Sequence, residues 1–259
     1  MRFWISLVSV ALLTAAPKWK ERYVEVNGVK LHYVEQGKGP LILFLHGFPE
    51  FWYEWKTLLP EFARDHHAVA PDMRGYNLSG KPEKVESYAL QVLVEDVGAL
   101  AQKLGAKKFV LVGHDWGGVV AWAFAAAHPE MLDKLIIVNA PHPTVFSREL
   151  LKGWATDEDR KMCLEHWNRG LTGGLNYYRA AGLRSTMPQN SALSQPMMID
   201  ATTLVIWGEK DTALLTGNLE GMERYVKNLR IERIPEGSHW VIHEKPDQVI
   251  HYIRDFLER

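Results

Sequence analysis

The sequence predicts an α/β fold built on a mostly parallel β-sheet with helices on both faces. Strand-like and helix-like segments alternate along nearly the whole chain, which is the pattern of parallel sheets with crossover helices. Residues 41–45 and 203–207 are continuous apolar runs, as expected for strands that are buried on both faces. Asn27-Gly28, which lies between two alternating segments, predicts an opening β-hairpin with a type I′ turn.

Each element of this sheet has its own signal. Alternating or continuous apolar segments predict strands, and clusters of Gly, Pro, Asn and Asp separate them. The predicted strands are residues 23–26, 29–34, 41–45, 67–70, 109–112, 135–138, 203–207 and 230–234. Helices are predicted at residues 88–104, 119–127, 220–226 and 246–257, and Gly105 is a stop signal for the first of them. The loops at the carboxyl ends of the strands should meet at one edge of the sheet.

The composition excludes several functional classes. The chain has 259 residues, of which 47% are hydrophobic, a formal net charge of −1 and a pI near 6.8. Because this charge gives no basic field, we expect no nucleic-acid partner. A single cysteine, Cys163, excludes an intrachain disulfide and a cysteine-based zinc site. Neither a metal-ligand spacing nor a dinucleotide fingerprint occurs, so we expect neither a metal nor a cofactor.

Residues 1–17 differ from the rest of the chain. Arg2 precedes an apolar run from Phe3 to Leu13, and small residues follow before Pro17. A basic start, a short apolar stretch and small residues at a candidate cleavage site are typical of a signal peptide. The run is shorter than the ~20 residues of a membrane span. We therefore expect entry into the secretory pathway or export; the alternatives are membrane association through an uncleaved N-terminal anchor, or a cytoplasmic location.

The stretch around Asp115 carries the clearest catalytic signal. Asp115 lies between a predicted strand and a predicted helix, with Gly113 two residues before it and Gly117 two residues after it. G-x-D-x-G is the spacing of a nucleophile elbow, in which glycines let the strand and the helix approach closely. The pattern indicates an aspartate nucleophile where hydrolases of this type usually carry serine. The alternative is that Asp115 is only the N-cap of the following helix.

A nucleophilic aspartate forms an ester, and hydrolysis of that ester needs a base and an acid that orients the base. Asp211 follows the predicted strand 203–207, and His239 lies in the loop before the last helix. The order Asp115, Asp211, His239 is the order nucleophile, acid, base of elbow enzymes. Glu209 is the alternative acid, and Asp211 is preferred because it lies nearer the helix-side end of the loop.

Two backbone N–H groups are expected to form an oxyanion hole. One belongs to Trp116, the residue after the predicted nucleophile, and the other comes from the loop after strand 41–45. Phe48 is the predicted second donor, since the next residue, Pro49, has no N–H.

Motifs along the chain resemble those of α/β-hydrolase-fold epoxide hydrolases. They are His46-Gly47-Phe48-Pro49-Glu50, Asp72-x-Arg74-Gly75-Tyr76-x-x-Ser79, Gly113-His114-Asp115-Trp116-Gly117-Gly118, Asn139-Ala140-Pro141-His142-Pro143, Trp207-Gly208-Glu209-Lys210-Asp211 and Gly237-Ser238-His239-Trp240. The resemblance extends from about residue 20 to the C-terminus. It implies the α/β-hydrolase fold with a small helical cap insertion, and an activity that opens an epoxide to a vicinal diol through a covalent aspartyl ester.

The resemblance also implies roles for individual residues. Asp115 is the nucleophile that becomes alkylated, and His239 is the base that activates water. Asp211 is the acid that orients His239. Phe48 and Trp116 supply the oxyanion hole. The substrate-binding residues are Trp52, Trp116 and Tyr177.

By the same resemblance, residues 18–143 and 199–259 form the hydrolase core, and residues 144–198 form a truncated helical cap. Family members protonate the opening epoxide oxygen with cap tyrosines, usually a pair. Tyr178 takes that role here, with Tyr177 as the alternative. The first tyrosine of the pair has no counterpart, since no tyrosine occurs between Tyr88 and Tyr177. A smaller cap should also exclude water less well.

Two other functions stay open on the sequence alone. Haloalkane or haloacid dehalogenases share the aspartate nucleophile and the histidine base, but need no tyrosine acid. Phe48 and Tyr178 favour an epoxide substrate, because haloalkane enzymes typically have Asn where this chain has Phe48. The second alternative is a catalytically weak hydrolase-fold protein that acts as a binding module, which the shortened cap suggests. The sequence predicts neither the particular epoxide, nor its stereochemistry, nor the oligomeric state.

Overall fold

The structure, a computed structural model, describes residues 19–150, 172–181 and 196–259, apart from the side chains of residues 147–150 and 172–175. The predicted signal peptide or anchor, residues 1–17, lies outside the described residues, as does most of the predicted cap. Within the described ranges, no helix is long and apolar enough to cross a membrane.

One eight-stranded sheet forms the centre of the fold. Its strands are β1 (Lys20–Val26), β2 (Val29–Gly37), β3 (Leu41–Leu45), β4 (His67–Pro71), β5 (Phe109–His114), β6 (Leu132–Val138), β7 (Thr203–Gly208) and β8 (Leu229–Ile234). Their spatial order is β1-β2-β4-β3-β5-β6-β7-β8. β2 pairs antiparallel with both of its neighbours, and all the other pairs are parallel. The predicted mostly parallel sheet is confirmed.

The opening hairpin has the predicted turn. Asn27 and Gly28 connect β1 to β2 and have φ angles of 44° and 73°. Positive φ at both central residues is what a type I′ turn requires, and Asn and Gly adopt it at the lowest cost.

Helices cover both faces of the sheet. They are α1 (Leu59–Phe62), α2 (Leu90–Lys103), α3 (Trp116–Ala127), α4 (Pro143–Leu150), α5 (Thr172–Ala180), α6 (Val241–Glu244) and α7 (Pro246–Leu257). Because side chains alternate along a strand, β3 contributes to two separate apolar clusters. Leu43 packs in the cluster that contains Trp122 of α3, and Ile42 packs in the cluster that contains Ile253 of α7.

The predicted helix at residues 220–226 is wrong. Within that range the chain forms only a short 3-10 helix, Met222–Arg224, and another 3-10 helix, Thr216–Leu219, precedes it. Gly221 lies between them with a φ of 79°. This left-handed conformation does not fit a right-handed helix, so it interrupts the apolar pattern from which the α-helix was predicted.

The junction between β5 and α3 is shorter than the sequence predicts. β5 continues to His114 and α3 begins at Trp116, so that Asp115 alone connects them. Asp115 has a φ of 49° and a ψ of −119°, a strained conformation for a residue with a Cβ. A Cβ on Gly117 would lie 2.2 Å from the carbonyl oxygen of Leu45. The elbow thus needs glycine at this position because the helix start touches the neighbouring strand.

We predict that Gly117→Ala destabilises the protein by about 1–3 kcal/mol, since the new methyl group would overlap backbone atoms that cannot move independently. Gly98→Ala in the middle of α2 is the matched control. Its Cβ would meet only Phe124 Cε2, at 3.5 Å, and it should stabilise the helix by about 0.5–1 kcal/mol. Urea unfolding of both variants measures the difference, and equal free energies of unfolding would contradict the close approach.

Candidate active site

The carboxylate of Asp115 points away from the helix that it precedes. Asp115 occupies the N-cap position of α3, but its side chain makes no capping hydrogen bond. Instead its Oδ1 accepts a hydrogen bond of 2.7 Å from the backbone N–H of Phe48. Its Oδ2 lies 3.6 Å from Nε2 of His239, and 17% of the side chain is exposed. The geometry is that of a reactive carboxylate held at the edge of the sheet, and not that of a helix cap.

The structure brings Asp211 and His239 to the same place. Oδ2 of Asp211 lies 2.7 Å from Nδ1 of His239, while the other ring nitrogen faces Asp115. Oδ1 of Asp211 accepts hydrogen bonds of 2.8 Å from the N–H groups of Ala213 and Leu214. The alternative acid, Glu209, pairs with Arg233 at 3.0 Å. Asp211 is therefore the acidic residue of this loop that contacts the histidine.

Asn139 also takes part in this arrangement, in a role that the sequence reasoning missed. It follows β6, is fully buried and has a φ of 40°. Its Nδ2 donates a hydrogen bond of 2.7 Å to Oδ2 of Asp211, and its Oδ1 accepts one of 2.9 Å from the N–H of Gly208. The available signal was its place directly after a strand, at the edge of the sheet where polar side chains of neighbouring strands meet.

The two carboxylates control the charge of the histidine between them. Burial lowers the pKa of His239, but the interactions with Asp115 and Asp211 outweigh this effect and raise the pKa to about 10. Burial raises the pKa of Asp115, yet His239, His114 and the Phe48 N–H together bring it below its ordinary value. The pKa of Asp211 is likewise lowered by His239 against the effect of burial. At neutral pH the site thus holds an imidazolium between two carboxylates.

Aromatic side chains lie around the Asp115 carboxylate. The ring of Tyr178, which is partly buried, lies edge-on against Trp116 at 4.8 Å and Phe48 at 5.5 Å between ring centroids. Trp116 follows Asp115 directly in the chain, and the backbone N–H of Phe48 donates to the Asp115 carboxylate. Tyr178 therefore packs against the side chains of the two residues that are predicted to form the oxyanion hole.

Tyr177 has a different environment. It is 1% exposed, and its hydroxyl donates a hydrogen bond of 2.8 Å to the carbonyl oxygen of Arg74. Burial raises its pKa well above the ordinary value. Its ring contacts Trp116 edge-on at 5.5 Å. This phenol is a poor proton donor because it is buried and its proton is already bound, so Tyr178 is the better candidate acid.

Trp52, a predicted substrate-binding residue, is not brought together with the others. It packs in the apolar cluster that contains α7, edge-on against Trp19 at 5.6 Å. Phe48, Trp116 and Tyr177 belong to the cluster on the other face. Trp52 as a whole is only 8% exposed, and packing accounts for its position.

Among the residues that the structure describes, one group of side chains has donor atoms of the kind that metals bind. Ligand atoms of Glu50, Glu54 and His243 lie within 4.8 Å of one another. These atoms already have partners, since Glu50 lies 3.0 Å from Nε2 of His243 and Glu54 contacts His114. The expectation that the protein needs no metal stays a prediction.

Comparisons with known proteins identify relatives of the chain. Residues 40–162 match a protein family whose description is "alpha/beta hydrolase fold". Epoxide hydrolase 4 of Mus musculus is 35% identical, over 91% of this chain and 79% of that protein. Epoxide hydrolase 1 of Caenorhabditis elegans is 33% identical, over 93% of this chain and 71% of that protein. The crystal structure of a Bacillus megaterium epoxide hydrolase in complex with an inhibitor matches with a TM-score of 0.77 at 35% identity, over 92% of this chain and 100% of that one. The predicted fold and the resemblance stated from the motifs are confirmed.

Proposed function

Because the chain belongs to the epoxide hydrolase family of the α/β-hydrolase fold, we propose that it hydrolyses an epoxide to a vicinal diol through an ester formed on Asp115. The observation that carries the proposal is the carboxylate in the elbow, which lies between a backbone N–H donor and a histidine. A carboxylate can attack a strained ring carbon, and the histidine is then in place to direct water at the ester that results.

In the first step Oδ2 of Asp115, the oxygen that does not accept from Phe48, forms a bond to one epoxide carbon, and the bond from that carbon to the ring oxygen breaks. The ring oxygen takes the phenolic proton of Tyr178, which prevents an alkoxide from building up. Proton donation of this kind contributes about 10²–10⁴-fold in rate. The contacts of the Tyr178 ring with Trp116 and Phe48 support this role, because both of these residues adjoin or contact Asp115.

In the second step water attacks the Asp115 carbonyl carbon while His239 takes one of its protons. Negative charge develops on the carbonyl oxygen of the ester, Oδ1 of Asp115, to which the N–H of Phe48 already donates in the resting state. The N–H of Trp116, the first residue of α3, has no acceptor within its own helix and is the proposed second donor. Each such donor is worth roughly 3 kcal/mol in comparable enzymes. The bond to the diol oxygen then breaks, and that oxygen takes the proton from His239.

These proton transfers balance over the cycle. After the first step Tyr178 is a phenolate, and the proton that His239 held in the resting state returns to it through solvent. The attacking water gives one proton to His239, which passes it to the diol oxygen, and leaves its second proton on the Asp115 carboxyl group. Transfer of this last proton to His239 restores the resting site. One epoxide and one water are consumed, and one diol is released.

The charge distribution sets the order of the two steps. In the resting site both carboxylates hold the pKa of His239 at about 10, so the ring is protonated and cannot act as a base. Alkylation converts Asp115 into a neutral ester and removes one of the two anions. The pKa of His239 then falls toward its ordinary value near 6.5. The histidine thus becomes a base only after the ester that it must hydrolyse has formed.

Dehalogenation of a haloalkane or haloacid is the second candidate, since the same Asp115 and His239 could displace a halide. The phenol of Tyr178 against Trp116 favours the epoxide, because a leaving halide needs no proton. A catalytically weak binding protein is the third candidate, and it requires none of the charge arrangement around His239.

We predict that Asp115→Asn lowers kcat/KM for epoxides by at least about a thousandfold, since it removes the nucleophile but keeps the shape. Asp133→Asn, at an exposed aspartate on β6, is the matched control and should behave like wild type. Diol formation from a panel of small and aryl-substituted epoxides measures the effect, and halide release from haloalkanes and haloacids is measured in parallel. Halide release without diol formation would support the dehalogenase, and equal rates for all three proteins on both panels would support the binding protein.

We predict that Tyr178→Phe lowers the rate of ester formation by about a hundredfold or more, with a small change in KM, because the proton donor is lost while the ring packing remains. Single-turnover kinetics with an epoxide measure this rate. Tyr23→Phe, at an exposed tyrosine on β1, is the control for tyrosine removal. Tyr177→Phe is made in parallel. If Tyr177→Phe abolishes ester formation and Tyr178→Phe does not, the acid has been assigned to the wrong tyrosine.

A further inference from the structure

The loop that carries His239 is held by a carboxylate that lies outside the reacting groups. Glu244, the last residue of α6, is exposed and accepts two hydrogen bonds from Ser238. Its Oε2 accepts from the Ser238 N–H and its Oε1 from the Ser238 hydroxyl, both at 2.7 Å. These two donors lower the pKa of Glu244 below its ordinary value, the N–H first. Hydrogen bonds to a carboxylate are stronger than those between neutral groups, so they fix Ser238 firmly against α6.

Ser238 passes this restraint to the other side of the histidine. Its hydroxyl oxygen, which donates to Glu244, accepts a hydrogen bond of 3.2 Å from the N–H of Trp240. Ser238 and Trp240 are the residues directly before and after His239. The backbone on both sides of the base is thus tied, directly or through one hydroxyl, to a single carboxylate.

The orientation of the His239 ring depends on this backbone. Nδ1 of the ring lies 2.7 Å from Asp211, and Nε2 lies 3.6 Å from Asp115. A displacement of about 1 Å in a catalytic group can lower a rate by about a hundredfold. Glu244 contacts neither carboxylate partner of the ring, so any effect that it has on the chemistry passes through Ser238.

From these contacts we infer that Glu244 is a positioning residue, which holds His239 through Ser238 in the orientation that ester hydrolysis requires. The inference rests on the proposed function, because it assigns a role in the second step of that reaction. In the first step the reacting groups are Asp115 and Tyr178, whereas in the second the base is His239. Loss of the two hydrogen bonds should therefore slow the second step far more than the first.

Four variants separate this role from a general effect on the fold. Glu244→Ala removes both hydrogen bonds. Glu244→Gln removes the charge but keeps both contacts, since its amide oxygen can accept from the Ser238 N–H and its NH₂ group can donate to the hydroxyl oxygen. Ser238→Ala loses only the hydroxyl contacts, and it decides the question if Glu244→Ala does not fold. Glu236→Ala is the matched control, an exposed glutamate of the same loop that pairs with Lys210.

The kinetic readout is a single turnover with an epoxide, stopped by acid so that the ester on Asp115 can be measured by mass spectrometry. We expect Glu244→Ala to slow ester hydrolysis about tenfold and to change ester formation less than about twofold, so that the ester accumulates. Ser238→Ala should slow hydrolysis about threefold, as expected for one lost hydrogen bond. Glu244→Gln should stay within about threefold of the wild type for the same reason.

Two kinetic results overturn the inference. One is an ester that Glu244→Ala or, if that variant does not fold, Ser238→Ala hydrolyses as fast as Glu236→Ala does. The other is an equal slowing of both steps, which would show that the carboxylate supports the fold as a whole and not the placement of the base.

The second readout needs no activity and follows the His239 ring itself. NMR of ring ¹⁵N-labelled histidine in the full chain gives its pKa, with the signal identified by its loss in His239→Gln. The titratable groups that face the ring are Asp115, Asp211 and His114, and the two carboxylates raise its pKa to about 10. We expect this pKa to fall by about one unit in Glu244→Ala, because the ring moves away from the carboxylates.

Glu244→Gln distinguishes placement from charge in this titration, because it loses the same charge and keeps the contacts. Its His239 pKa should stay closer to the wild-type value than that of Glu244→Ala. Equal values in the two variants would mean that only the charge of Glu244 acts on the ring, which overturns the inference. If the wild type opens no epoxide, the proposed function fails, while the titration still decides whether Glu244 places the histidine.

Discussion

The junction between β5 and α3 is the constraint on which the rest of the site depends. Asp115 is the only residue between the last strand residue and the first helix residue, and its φ of 49° is held by the elements that it joins. Holding a residue in such a conformation costs about 1–3 kcal/mol. The turn directs the carboxylate away from the helix start, where it would be an ordinary cap, and toward the N–H of Phe48 and the ring of His239.

The second level of organisation is electrostatic. An imidazolium between Asp115 and Asp211 stabilises both carboxylates in the resting protein, and Asn139 and backbone N–H groups stabilise Asp211 further. In the proposed mechanism, ester formation removes the charge of Asp115. The pKa of His239, which both carboxylates raise in the resting site, then falls, and His239 can act as a base. The buried side chains of Glu54 and of His114, the residue before Asp115, contact each other.

Much of the fold and of the candidate site could be predicted because the relevant signals are local. β3 has the predicted bounds, since a strand buried on both faces is a continuous apolar run. Asp115, Asp211 and His239 could be selected because each follows a strand at the same edge of the sheet. The false helix at residues 220–226 shows the limit of this reasoning, since its apolar spacing contains a glycine that adopts a left-handed conformation.

The rest depends on contacts between distant parts of the chain. Glu54 lies within a run of aromatic residues, and no sequence spacing marks it as part of a site. It contacts His114 only because the sheet brings these distant parts of the chain together. Trp52 packs edge-on against Trp19, a residue that lies far from it in the sequence. Asn139 belongs to a motif that the sequence shows, but its role depends on Asp211 of a neighbouring strand.

The central claim is that Asp115 itself becomes esterified. It is tested most directly by a single turnover of excess protein with an epoxide in water enriched in heavy oxygen, followed by mass spectrometry of the Asp115 peptide and of the diol. If water attacks the ester carbonyl, the heavy oxygen enters the carboxyl group of Asp115 and the diol stays unlabelled. Label in the diol with none in Asp115 would mean that water attacks the epoxide directly, which contradicts the account.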